Sequence, residues 1–260
     1  MPRRPSRWAP VALAAALTLG AASPALAQSP PPSAAIDAYV ERAYADLLGR
    51  EPSGFERTRW TEALAGGTPR TTFARALVQS EEFEADLIGV TFLVVLGRHA
   101  DAAGTAFFAE RLGAGATTRY LETSLLAAPE FETTNGGVEG AVRALFDIAL
   151  QRPASEADVA YFAAATKAAR TRGIVGSPEA TRLDVRTAFA SFLGRPPDAG
   201  GSEHWSTTLR RTGDEQALWA ALVASPEYAA AAAPAPSPTT RHAPGGDPLG
   251  TVLAARLATH

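Results

Sequence analysis

The chain has 260 residues, a hydrophobic fraction of 46%, a formal net charge of -3 and no cysteine. The missing cysteine excludes disulfide staples, thiol catalysis and thiolate metal sites. A mildly acidic balance without a basic stripe argues against nucleic acid as a partner.

Residues 1–27 read as a secretory signal peptide. Arg3, Arg4 and Arg7 make a basic start, Val11 to Ala22 an apolar run too short to span a bilayer comfortably, and Ala25-Leu26-Ala27 a small-x-small cleavage site. Cleavage would remove those three arginines and take the formal charge from -3 to -6. No other stretch is long and apolar enough to span, so the expectation is an exported protein, periplasmic or extracellular, with no membrane span once the leader is gone. Residues 28–33 form a Pro-rich lead-in.

From residue 34 the chain repeats. Leu47-Leu48-Gly49-Arg50 returns as Val95-Leu96-Gly97-Arg98, Ala149-Leu150-Gln151-Arg152 and Leu193-Gly194-Arg195. Eleven residues after Gly49, Gly97, Gln151 and Gly194 stand Trp60, Phe108, Phe162 and Trp205. Thirty-four residues on, Phe83, Phe131 and Tyr228 close three of the units, each after a glutamate: Glu82, Glu130 and Glu227. The third unit offers Ser177-Pro178-Glu179-Ala180 five residues early. A period of roughly fifty residues predicts four helical units, over 34–86, 87–134, 135–180 and 181–230, behind the leader and ahead of a low-complexity tail, 231–260.

Each unit reads as three helices. The first, with Ile36, Val40, Tyr44 and Leu47 on one face, stops at the left-handed glycine of the LGR stretch. Ser53, Asp101, Ser155 and Asp198 then sit where a helix cap belongs, with Glu56 as reciprocal partner to Ser53. A second helix carries the Trp or Phe, glycines stop it, and a third holds pairs such as Phe73 with Leu77 and Leu218 with Leu222. Ser80, Ser177 or Ser225 restarts a helix that runs on into the next unit, so the expected whole is all-α and stiff, compact or gently elongated. Thr133 to Gly137 is the clearest break, the third unit the expected least regular part, and Leu249 to Leu257 at most a marginal helix.

LLGR, then a capping Ser or Asp, a Trp, a Gly-containing turn and a closing SPEF- or SPEY-like segment resemble the bacterial domain-of-unknown-function family 4214, over about Ile36 to Ala230. That resemblance implies an exported or cell-surface setting and tandem copies. It also implies kinship with phycobilisome linker domains, which are helical assembly modules, and it brings no enzymatic activity, catalytic residue or cofactor. The expected role is a non-catalytic interaction or scaffolding protein whose partner is another envelope or extracellular protein, or a surface glycan. The alternative is a polysaccharide-binding or polysaccharide-processing protein.

Arg50, Arg98, Arg152 and Arg195 recur with Glu82, Glu130, Glu179 and Glu227, which predicts a partly buried ion pair inside each unit. Asp101 with Gly104 and Asp198 with Gly201 supply too few oxygens for a calcium loop and read as helix caps. His99, His204, His242 and His260 share no helical face, no GxSxG or GxxxxGK[ST] pattern occurs, and Lys167 is the only lysine. Glu41, Asp46, Glu62 and Glu110 read as solvated helix faces, and Tyr44, Phe73, Phe92, Phe146, Phe189 and Trp219 as core with the repeated aromatics.

Overall fold

The structure, a computed structural model, describes residues 32–232. The expected signal peptide, most of the lead-in, nearly all of the tail and the segment Leu249–Leu257 lie outside the described residues. Among the described residues there are fourteen helices and no strand.

The first set of helices is α1 (Pro32–Leu48), α2 (Gly54–Ala65) and α3 (Arg70–Val78). The second is α4 (Glu81–Leu96), α5 (Ala102–Gly113) and α6 (Thr118–Leu126), followed by the short α7 (Pro129–Thr134). The third is α8 (Val138–Leu150), α9 (Glu156–Ala163) and α10 (Lys167–Val175). The fourth is α11 (Pro178–Leu193), α12 (Ala199–Thr212) and α13 (Glu215–Val223), closed by α14 (Pro226–Ala232).

The ends of these helices follow from capping chemistry. Ser53, Asp101, Ser155 and Asp198 each accept the backbone N–H three residues on, at the head of α2, α5, α9 and α12. Ser53 with Glu56 and Ser155 with Asp158 complete reciprocal boxes. The aspartates that a calcium loop would need are thus spent on Gly104 N–H at 2.7 Å and Gly201 N–H at 2.6 Å. A glycine is needed at 104 for a second reason, because a Cβ there would stand 3.1 Å from the Phe92 ring.

The third set departs from expectation in an instructive way: its three helices are regular. The five missing residues come out of the second helix and the turn after it, since α9 has 8 residues where α2 has 12. Thr166, fifteen residues after Gln151 where the same offset gives Leu64, Leu112 and Leu209 in the other sets, caps α10 by accepting Ala169 N–H. Shared helices link the first set to the second through α4, and the third to the fourth through α11. Between the second and third, Gly136 and Gly137 turn the chain at positive φ and α8 starts afresh.

Of the two expected forms, compact or gently elongated, the array takes the compact one and closes on itself. α3 packs on α13 and α6 on α10, so the third helices of different sets meet in the middle, and α14 packs on α1. One hydrophobic cluster runs from Tyr39 to Tyr228. At its seam Tyr39 meets Phe73 at 5.4 Å and Tyr228 at 6.0 Å, while Phe83 meets Trp219 at 6.0 Å. Each such ring contributes on the order of 1.5–3 kcal/mol by leaving water. The second helices face outward, each packed on the first helix of its own set.

Gly49, Gly97 and Gly194 end α1, α4 and α11 in the left-handed region, at φ 64, 66 and 67°. Gln151 ends α8 there at φ 51°, the one described non-glycine residue with positive φ. Since a side chain costs roughly 1–2 kcal/mol there, Gln151→Gly is expected to raise the melting temperature by about 2–8 °C. An unchanged or lowered melt would refute the assignment of strain to Gln151.

Candidate functional site

The most conspicuous polar arrangement grows directly out of the left-handed helix ends. The residue after each is an arginine whose guanidinium lies over the ring six residues back: Arg50 over Tyr44, Arg98 over Phe92, Arg152 over Phe146 and Arg195 over Phe189, at 4.9–5.6 Å. One Nη donates to the carbonyl of the next residue, Glu51, His99, Pro153 or Pro196. The other Nη and Nε donate side by side to Glu82, Glu130, Glu179 and Glu227, at 2.5–3.0 Å. The sequence-level pairing is therefore met four times, including the third set, where 27 rather than 32 residues separate the partners.

Each glutamate occupies the first turn of α4, α7, α11 or α14, where a carboxylate also suits the positive end of the helix dipole. The aromatic after it, Phe83, Phe131 or Tyr228, is buried. The pairs are more open than the partly buried arrangement expected, with side-chain exposures between 36 and 46%. Phe108 is buried, while Trp60, Phe162 and Trp205 are only partly so, packed against the core edge. Arginine hydrogen bonds hold Glu82, Glu130, Glu179 and Glu227 below the ordinary carboxylate value. Glu56, shared between Arg50 and the Ser53 cap, is held lowest, from 4.5 down to about 2.

Two further charge clusters escape sequence reading because their members are far apart in the chain. Arg119 on α6 reaches the Val175 carbonyl, Asp184 at 3.0 Å and Glu215 at 3.3 Å, joining three sets of helices. Its partners' side chains are 7 and 5% exposed. Arg42 on α1 donates to the carbonyls of Phe192 and Tyr228, and Tyr228 Oη donates to Asp46 at 2.7 Å. Burial and the neighbouring Asp46 carboxylate push the Tyr228 hydroxyl far up. Asp46, expected on a solvated face, is in fact buried at the closure, because α14 covers that side of α1.

The surface offers open grooves. One of about 560 Å³ lies between α1, the α2–α3 turn and α14, lined by Ile36, Tyr39, Leu64, Pro226 and Ala229. Another, of about 300 Å³, runs between α11 and α12. Among the described residues no group of three or more His, Cys, Asp or Glu is placed to hold a metal. His204 is stacked edge-on beside Trp205, as a polar flank to that ring. His242 and His260 lie outside the described residues. No helix among them is long and apolar enough to cross a membrane.

Two outcomes follow from these charges. Arg119→Ala removes the cation beside buried Asp184 and Glu215 and is expected to cost about 3–5 kcal/mol, whereas Arg98→Ala removes the partner of the exposed Glu130 and should shift a thermal melt far less. The five clasp and cap glutamates have folded pKa values below their unfolded ones, so their stabilisation is present above the ordinary carboxylate range and is lost as pH falls through it, for Glu56 down to about 2. A melting temperature that drops over that window in the native chain, and drops less in Arg50→Ala, is the expected result of circular dichroism melts.

Residues 32–87 match a protein family described as "Domain of unknown function (DUF4214)". No curated protein and no solved structure matches the chain. The matched span covers α1 to α3 and the first turns of α4, with Arg50, Trp60, Glu82 and Phe83 inside it, so it is the first set of helices that is similar to the DUF4214 family.

Proposed function

We propose that this chain is an exported, non-catalytic interaction or scaffolding module of the cell envelope or extracellular space, and that it binds another protein. One observation carries the reading: large apolar side chains stand in solvent on the outward helices. Phe55 on α2, Phe107 on α5 and Tyr161 on α9 are 76, 45 and 75% exposed, although a core ring lies beside two of them. Exposed aromatic side chains on a rigid helix are the kind of anchor that protein interfaces use. The charged groups with shifted pKa values support the same reading, because they are engaged in tying helix ends together. Export rests on the basic, apolar and small-residue order of residues 1–27.

The test is capture from the native envelope extract with the tagged protein and with a Phe55→Ala/Tyr161→Ala double variant. One stoichiometric protein is expected with the native chain, weakened at least about tenfold, or ~1.4 kcal/mol, by the variant at an unchanged melting temperature. Retention on glycan alone, or capture indifferent to both rings, would overturn the proposal.

A further inference from the structure

The fourth set of helices differs from the first at one cleft. Counting from the helix-ending glycines, Asp37, Glu41, Arg57 and Thr61 of the first set correspond to Arg182, Arg186, Ser202 and Ser206 of the fourth. In the first set that cleft is stitched shut: Thr61 Oγ1 donates to Asp37 at 2.5 Å, and Arg57 pairs with Glu41 at 3.1 Å. In the fourth, both acids of the first helix have become arginines. Neither Arg182 nor Arg186 forms an ion pair among the described residues. Arg182 lies near enough to Glu179 to lower its pKa, but that carboxylate is already held from two sides by Arg152.

What results is a polar cleft of about 300 Å³ between α11 and α12, with Arg182 on one wall and Ser202, Glu203, Ser206, Thr207 and Arg210 along the other. Ser206 is only 7% exposed, and its Oγ has no hydrogen-bond partner among the described residues. A buried hydroxyl without a partner is costly unless something in the cleft engages it. Arg210 is oriented from the far end, where its Nη2 touches Thr207 Oγ1 at 3.4 Å. Two guanidiniums, each a planar fork of donors, with hydroxyl donors between them, match an anion that presents oxygens in several directions.

We propose that the α11–α12 cleft binds a phosphate or sulfate group, with Arg182 and Arg210 as its charged contacts and Ser206 as the donor at its base. Glu203 opposes that charge and sets an upper bound on affinity. The first set has no such site, because there the corresponding acid and threonine satisfy each other.

The full chain, titrated with inorganic phosphate and with sulfate, is expected to show saturable binding at or below about 10 mM by calorimetry, weakening with added salt. Arg182→Gln/Arg210→Gln should abolish it and Ser206→Ala weaken it several-fold, both without lowering the melting temperature, while Glu203→Gln should tighten it. A sulfated or phosphorylated oligosaccharide that binds more than tenfold tighter than the free ion would identify a surface glycan as the source, and equal binding the free ion. Absence of saturable binding, or equal binding by the native chain and the double arginine variant, would overturn the proposal.

Discussion

The structure depends on a guanidinium trapped at a helix end. Each of the first helices finishes in a left-handed residue, and that reversal throws the next side chain, an arginine, back over an aromatic ring of the helix just ended. From there its fork reaches forward to a carboxylate at the start of the helix about thirty residues later. The interaction fixes an exit and an entry at once, and so sets the spacing of the two helices that lie between them. At the observed exposure its electrostatic worth is modest, because water screens it. Its value is geometric: a planar bidentate pair admits few orientations. The third set makes the point, since it keeps the clasp after losing five residues and takes the loss in α9 instead.

Closure draws on a different kind of contact. Nothing about a repeated unit requires the last copy to touch the first, and the residues that achieve it occur once each. Arg42 caps the end of α11 through the Phe192 carbonyl and stacks 4.1 Å over the Tyr228 ring. Arg119 gathers Asp184 and Glu215 from the fourth set into a site shielded from water. Buried charge is costly unless paired, so such a cluster adds less to stability than to choosing one arrangement of the sets over its rivals. The apolar seam of Phe83, Trp219, Tyr39 and Tyr228 supplies the free energy, and the charges choose the register.

This division explains what the sequence disclosed. Helix ends, caps and the clasp are local or recur at fixed offsets, so Ser53, Gly97, Arg195 and Glu227 announce their roles in one dimension. Asp46 looked like any surface acid because the tyrosine that buries it lies 182 residues away. Arg119 and Glu215 stand 96 residues apart, with no period linking them. Thr166 falls at the offset of a core leucine only if the second helices are equally long, and the shortening of α9 moves it to a cap. The outward exposure of Phe55, Phe107 and Tyr161 was equally hidden, since an aromatic at helical spacing reads as core until the facing element is known.

In a fold built from similar units, the positions at which the units differ are the ones that folding does not explain. A side chain present at one offset in every set is explained by the set itself, and the clasp arginines are of this kind. A position where one set reverses the chemistry of another while keeping the backbone has no such explanation. Arg182 and Arg186 stand where the first set places Asp37 and Glu41, on a helix with the same ending and the same clasp, facing a second helix that has lost its answering arginine. Folding alone would be served as well by the original pair, which closes its own cleft. Exchanging it gives up an internal contact and leaves Arg182, with Arg210 across the cleft, beside a buried hydroxyl, an arrangement that gains its compensation when an anion arrives.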